Sequence, residues 1–311
     1  MMPSNFLTQS DFFETIENSQ YIFQINDSIE KYVPNQLYKF SSFPTQKNKK
    51  TKRMRQLKNS EIWFSSRSML NDPFEFEHLS LKNASLEAQN YYAAKQKELG
   101  LFCLTGSPLN KLMWSHYADS YRGYCVEYNV RNKGLIYPVI YDNTLPDLSE
   151  SYQRFYDNKD NLSFSSFGES EVEKDIIRLY YPLLSKDVCW DYEREFRIID
   201  SIQDEEIPKK GHLRKAQDYG LFISAVIIGT NCTSDNVELL KSAVKRINKE
   251  RYQKMKRRIL DNPKWKQKCK NNIDYYVQKL SEKCPESAPV VVKYLIWNKE
   301  LQLTVEEHIG E

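Results

Sequence analysis

Eight short runs rich in β-branched and aromatic residues recur at uneven intervals, at 36–40, 62–65, 100–105, 123–129, 135–141, 196–200, 225–229 and 290–297. Each has the length of a strand. Between them, apolar residues fall at helical spacing over 9–19, 86–100, 108–117 and 171–184, the last with Val172, Ile176, Leu179, Tyr180 and Leu183 on one face. The two kinds of element do not alternate in the βαβ rhythm of a parallel sheet, and only nine glycines are spread through 311 residues. A glycine-rich turn cradling a dinucleotide is therefore nearly excluded. The expected class is α+β: a central, mostly antiparallel mixed sheet of short strands, flanking helices and a basic C-terminal helical region. The expected division is a motif-bearing α+β domain over 1–235, and basic helices with a late strand over 236–311 packed on it.

A formal net charge of +3 hides a segregation that says more than the sum. Residues 47–58, KNKKTKRMRQLK, hold seven basic side chains and no acidic one. Residues 142–206 hold seventeen acidic and seven basic, and residues 241–270 thirteen basic and two acidic. Like charges facing each other across a strand pair repel, so 45–58 reads as an exposed basic loop. Over 237–260, Leu239, Leu240, Val244, Ile247, Tyr252, Met255 and Ile259 recur at roughly helical spacing with basic residues on the remaining face. Pro263 stops or kinks that helix, and Trp265, Ile273, Tyr276, Val277 and Leu280 point to another beyond it. Each basic segment is either a solvated flank or a polyanion surface. Because Lys and Arg are interleaved with Tyr and Trp in the C-terminal segment, RNA or DNA is the polyanion to expect at Lys241–Lys270, and at Lys47–Lys58 the expected contact is likewise a phosphate or nucleic acid.

Composition narrows the remaining classes. The longest apolar runs, at 221–229 and 290–297, are far short of the ~20 residues a bilayer requires, so no membrane partner is expected. The first twenty residues lack the basic and apolar regions of a signal peptide, which makes the cytoplasm the expected compartment. Six cysteines without a C-x-x-C pair and four histidines, none four apart, give no reason to expect a metal, and the thiols read as reduced. Aromatic residues at 13%, with 21 tyrosines, suit either surfaces that stack on flat ligands or partly wet cores.

Four stretches concentrate uncommon residues: LYKF at 37–40, IWFSSRSMLNDPFEFE at 62–77, KLMWSHYADSYRGYCVEY at 111–128 and VCWDYEREFRII at 188–199. In Asn71-Asp72-Pro73-Phe74-Glu75 the residues favour a tight turn; alternatively Asp72 and Glu75 wall a pocket floored by Phe74. In Met113-Trp114-Ser115-His116-Tyr117 a helix puts Met113, Trp114 and Tyr117 near one face, which suits core packing. His116 is then either a hydrogen-bonded structural residue or an acid–base group. Read as a strand, 190–199 puts Glu193, Glu195 and Arg197 on one face. That strip is either an ion-pair ladder in which Arg197 neutralises Glu195, or a pocket floor where two carboxylates perturb one another.

Taken in this order and spacing, the four stretches resemble the bacterial family catalogued as domain of unknown function 2971, over about 37–247. That resemblance implies no activity. A more distant likeness is to ADP-ribosyltransferases: an E-x-E strand preceded by a strand with a basic residue, Tyr38-Lys39, and a strand ending in Phe64-Ser65-Ser66. It implies an enzyme that cleaves NAD as substrate. Glu195 would face the developing oxocarbenium ion, Glu193 would orient the acceptor, and His116 would complete the catalytic set. Tyr38 or Trp63 would stack on nicotinamide and Lys39 or Arg197 would hold pyrophosphate, with Ser65, Ser66, Asn71, Asp72, Phe74, Trp114 and Tyr117 finishing the pocket. The acceptor would be a nucleic acid or a protein, the setting a toxin or phage-defence effector, and a partner an antitoxin or regulatory protein. The pattern departs from those enzymes in carrying Lys39 or Tyr38 where they have Arg or His. Two other classes stay open: a non-catalytic nucleotide- or RNA-binding sensor module, and a metal-dependent nuclease using Asp72, Glu75, Glu193, Glu195 and His116.

Overall fold

In the computed structural model, which describes residues 6–19, 22–77, 79–160, 171–201, 211–269, 272–284, 286–298 and 302–307, the strands form a mostly antiparallel mixed sheet flanked by helices. The class is α+β, as the uneven alternation of elements implied. The chain divides into two compact units of three segments each: Met1–Pro34, Trp63–Cys103 and Asn132–Leu213 in the first, Asn35–Ile62, Leu104–Arg131 and Arg214–Glu311 in the second. The division does not fall at 235. The strand Leu221–Ile228, ahead of that point, pairs in parallel with Val291–Trp297 beyond it, from Ala225 opposite Val291 to Ile228 opposite Tyr294, and so ties the late helices to earlier strands. Among the described residues no helix is long and apolar enough to cross a membrane.

In the second unit the strands Leu303–Glu307, Val291–Trp297, Leu221–Ile228, Tyr124–Val130 and Gln36–Ser41 lie side by side in that order. Tyr124–Val130 has neighbours on both edges and is buried along nearly its whole length, which its Tyr, Cys and Val content permits. The 28-residue helix Ser234–Asp261 starts at Thr233, whose side chain accepts from the Asn236 amide, and buries Leu240, Val244, Ile247, Met255 and Ile259 along one stripe. Asn262 ends it and caps the next helix, Pro263–Lys268. Met255 and Ile259 then share a small core with Cys269 and Val277.

Residues 47–58, expected as a loop, form the helix Lys47–Lys58. On a helix successive side chains fan out by about 100° each, so seven cations need not confront one another as they would across a strand pair. Met54 and Leu57, three apart, turn inward, and this helix packs against Ser234–Asp261.

In the first unit, Thr8 and Asp11 form a capping box at the start of the helix Gln9–Asn18. Phe12 and Ile16 of that helix pack with Ile25, Ile29, Ile140, Tyr181 and Leu184. The expected strand over 135–141 is broken into Tyr137–Pro138, antiparallel to Glu195–Ser201, and Ile140–Tyr141, parallel to Ser185–Lys186. Pro138 has no amide to donate, so one continuous ladder cannot form there. The expected helix over 171–184 likewise splits into Glu171–Arg178 and Tyr181–Leu184, with Pro182 in the first turn of the second piece.

The turn between the helix Lys111–Tyr117 and the strand Tyr124–Val130 is left-handed at three successive residues, Asp119, Ser120 and Tyr121, with φ of 47°, 50° and 68°. Asn231 fastens it: its amide donates to the Tyr121 carbonyl at 3.0 Å and its side chain to the Ser120 carbonyl at 3.1 Å. The approach depends on Gly229, where a Cβ would lie 2.2 Å from the Tyr121 carbonyl oxygen. Gly229→Ala is therefore expected to lower the unfolding free energy by about 2–3 kcal/mol, read by urea denaturation.

Candidate functional site

The sequence 187–195 turns twice before it becomes a strand. Asp187 caps a short 3-10 segment, Val188–Glu193, by accepting from the Cys189 amide at 2.8 Å. Arg194 is left-handed at φ 45°, and the strand Glu195–Ser201 begins directly after it. Glu193 is thus not a strand residue, contrary to the alternation read for 190–199. The turn nevertheless swings Glu193 and Glu195 towards one point, the ammonium of Lys186. Its Nζ lies 2.7 Å from Glu193, 3.3 Å from Glu195 and 3.4 Å from Glu75.

Arg197 supplies the second cation. Its Nε donates to Glu195 Oε1 at 2.9 Å, its Nη2 to Glu75 Oε1 at 2.9 Å and to Glu195 Oε2 at 3.1 Å, and its Nη1 to the Leu183 carbonyl at 2.6 Å. All five side chains are withdrawn from solvent: Arg197 is 0% exposed, Glu75, Lys186 and Glu193 3% each, Glu195 6%. Burial pushes both Glu195 and Glu75 up. At Glu195 the adjoining Arg197 and Lys186 reverse this and hold the carboxyl well below the usual carboxylate range. At Glu75 burial prevails, with Glu195 adding to it against the pull of Arg197 and Lys186. Burial pulls Lys186 down, but Glu195, Glu193 and Glu75 more than compensate and hold it charged. Glu75 Oε2 has no partner among the described residues, and neither has the buried Asp72 Oδ2.

Arg197 is paired with Glu195, but along one strand, two residues apart, rather than across a strand pair. Both Glu195 oxygens accept from the buried cations. Asp72 and Glu75 do not wall a pocket floored by Phe74. The turn, closed by Asp72 Oδ1 accepting from the Phe74 amide at 2.9 Å, leaves Phe74 68% exposed and buries Phe76, at φ 70°, in its place. Asn71 and Trp63 are exposed, while Ser65 and Ser66 are half-buried opposite Leu101 and Gly100. Lys186 escaped sequence reading. Its signal was a lone cation in the apolar run YPLLSKDVCW of an otherwise acidic segment.

The remaining expected site residues belong to the second unit. Tyr38 is buried opposite Thr105 and Glu127, and burial, with Glu127 adding, pushes its phenol up to about 12. Lys39 is half-buried on the same strand, and Tyr117 half-buried on its helix. Trp114 is fully buried, donating from Nε1 to the Pro108 carbonyl at 2.6 Å, edge-on to Phe40 and stacked on Tyr121. It is a packing residue and offers no face to a cofactor. His116 is exposed, with its ring edge-on to Tyr117.

The second unit also brings together the two basic segments. The helices Lys47–Lys58 and Ser234–Asp261 enclose a groove of about 950 Å³ whose lining includes Lys47, Lys50, Arg55, Lys58 and Arg246. A cavity of about 530 Å³, with Lys249, Lys254 and Arg257, adjoins it through Arg246. A third, of about 300 Å³, shares Lys58 and Asn59 with the groove and Glu250 and Lys254 with the second. Two of the acids in these walls are engaged locally, Glu238 with Lys241 at 3.3 Å and Glu250 with Arg246 at 2.9 Å. Lys47, Arg55, Lys58, Lys249, Lys254 and Arg257 have no carboxylate partner among the described residues.

Compared with known proteins, residues 113–198 match the family described as Protein of unknown function (DUF2971). The chain resembles that family there, over a narrower span than the motifs suggested. The match takes in the helix Lys111–Tyr117 from Met113 on, Lys186 and the Glu195–Arg197 ion pair, and leaves out the Asp72–Glu75 turn. Neither the curated proteins nor the solved structures hold a match to the chain.

Two outcomes follow for the buried charges. Arg197→Met should lower the unfolding free energy by about 3–5 kcal/mol, since it leaves Glu75, Glu193 and Glu195 sharing the single positive charge of Lys186, as read by urea denaturation near pH 7. Because the folded Glu75 carboxyl is raised above its unfolded value, the native state keeps a proton that the unfolded chain has already released, and stability falls as pH rises through that window. Glu75→Gln should abolish this fall, which in the wild type amounts to at most about 1.4 kcal/mol per pH unit as pH rises above the usual carboxylate range.

Proposed function

We propose that the protein binds nucleic acid along the basic surface of its second unit. The observation that carries this reading is the meeting of two charge blocks from distant parts of the sequence, whose helices pack together so that their unpaired cations line adjoining cavities. A basic helix that is merely solvated tends to be laced with i, i+4 ion pairs along its flank. Here Arg246–Glu250 is one such pair, while the cations beside it have no carboxylate partner among the described residues. Cations without carboxylate partners among the described residues, from Lys47–Lys58 along one side of the groove and from Ser234–Asp261 in the cavity that adjoins it, outnumber the acids Asp235 and Glu238 on the groove's other side, and favour a polyanion that releases counter-ions as it binds.

The length of the surface suits a strand rather than a single anion. Twenty-eight helical residues extend about 42 Å at 1.5 Å per residue, enough for several phosphates in succession. The reading is that of a binding module, and it assigns no chemical step to Glu193, Glu195 or His116.

Fluorescence anisotropy with labelled RNA and DNA oligonucleotides tests it. Affinity should fall with salt with a log–log slope of about −3 to −5, as expected for a handful of phosphate contacts. The charge reversals Lys50→Glu, Arg55→Glu and Lys249→Glu combined should weaken binding by about a hundredfold or more. Salt-independent binding, or binding indifferent to the three reversals, would defeat the proposal.

A further inference from the structure

The smallest of the three basic cavities differs from the others in having a cation drawn in from the surface. Arg251 sits on the inner side of the helix Ser234–Asp261, half-buried, and the single hydrogen bond it makes among the described residues runs from Nη1 to the Ala288 carbonyl at 2.6 Å. No carboxylate among the described residues answers it. Burial pulls its guanidinium down to about 10, in contrast to Arg197, which burial also opposes but which its carboxylates hold well above the usual arginine range. A guanidinium withdrawn from water without a counter-ion is costly unless an anion joins it.

The walls set what that anion can be. Lys58 and Lys254 line the cavity with Arg251, and neither has a carboxylate partner among the described residues. Lys215 lines it too but is held by Glu61 at 3.1 Å. The two acids in the lining are turned to other cations, Glu250 to Arg246 at 2.9 Å and Glu286 to Arg258 at 3.6 Å. Three cations without carboxylate partners thus converge on about 300 Å³, beside an apolar wall of Leu221, Phe222 and Ile223. A phosphodiester brings one negative charge, whereas a phosphomonoester brings about −1.5 to −2 at neutral pH and three acceptor oxygens for a forked donor such as guanidinium. The volume lies at the low end of ligand cavities, enough for one phosphate and its sugar.

We propose that this cavity binds a terminal phosphomonoester of the nucleic-acid strand lying in the adjoining groove. The groove continues from the cavity through Lys58 and Asn59, so a strand whose end is anchored at Arg251 can run on past Lys50 and Arg55. This inference rests on the nucleic-acid reading above and adds to it a preference for one kind of strand end.

The experiment compares single-stranded oligonucleotides of about 12 nucleotides carrying a 5′-phosphate, a 3′-phosphate or hydroxyls at both ends, by anisotropy, on the wild type, Arg251→Met and Lys254→Gln. Melting curves of the same three proteins with inorganic phosphate run alongside. Lys254 is exposed, so its variant does not put folding at risk, and circular dichroism checks the Arg251 variant. The expected result is that one phosphorylated end binds about tenfold tighter than the hydroxyl form, and that both variants abolish the difference. Equal affinity for all three oligonucleotides overturns the terminal-phosphate site while leaving the groove reading intact. If no oligonucleotide binds but inorganic phosphate raises the melting temperature of the wild type and not of the Arg251 variant, the cavity serves a free phosphate, and both the strand-end assignment and the nucleic-acid reading fall. If neither ligand acts, both fall as well.

Discussion

Lys186 and Arg197 can be buried only because three carboxylates meet them there. An ammonium or guanidinium removed from water alone costs several kcal/mol, and so does a carboxylate. Glu75, Glu193 and Glu195 close on the two cations at 2.7–3.4 Å, and the Leu183 carbonyl takes a further guanidinium proton. Two turns and one short strand pairing make the convergence possible: the Asp72 turn with its left-handed Phe76, the left-handed Arg194 between Glu193 and Glu195, and the parallel pairing that carries Lys186. The backbone irregularities of this unit thus lie where acids have to be aimed, as strained residues do when surrounding contacts determine them. The cluster has more acid than base, and the unpaired Glu75 oxygen is where that surplus shows.

The second unit uses charge in the opposite sense. Its cations are collected on two helices and left largely without carboxylates, so their mutual repulsion is a standing cost that a bound polyanion would relieve. Charge is paired and buried in one unit, whereas in the other, cations without carboxylate partners among the described residues line a groove, and it is on these that the proposed binding rests. Arg251 and Arg197 mark the two cases within one side-chain type: both are drawn in from water, one with carboxylates around it and the other with a carbonyl alone.

Much of this was legible from the residues, and the failures have physical causes. The long basic helix shows its buried stripe of Leu240, Val244, Ile247, Met255 and Ile259 in the spacing itself, because a 3.6-residue period is a local property. The strands 36–41 and 124–130 announce themselves by apolar content. The strands Gly211–Lys215 and Leu303–Glu307 do not, being short and partly charged, with partners rather than composition deciding them. Residues 47–58 look like a loop until Met54 and Leu57 are buried and the helix packs on Ser234–Asp261, which no local rule supplies. Phe74 and Phe76 are equally apolar, and only the φ of 70° at Phe76 sends one out and the other in. The charge segregation was plain in the sequence, but the meeting of its two basic blocks is a tertiary fact. So is the pairing of Lys186 with Glu75, more than a hundred residues away.

That separation bears on how the chain acquires its structure. The Arg197–Glu75 bond joins residues 122 apart, so the loop it closes is among the long ones in the first unit. Until the two ends meet, each carboxylate and each cation keeps its own hydration shell, and the shells have to be shed together on assembly. A step that combines long-range closure with loss of ionic hydration carries an entropic cost and a desolvation cost together. During synthesis the Asp72–Glu75 turn leaves the ribosome well before its cationic partners exist, and the nascent segment carries its acids hydrated until Lys186 and Arg197 emerge.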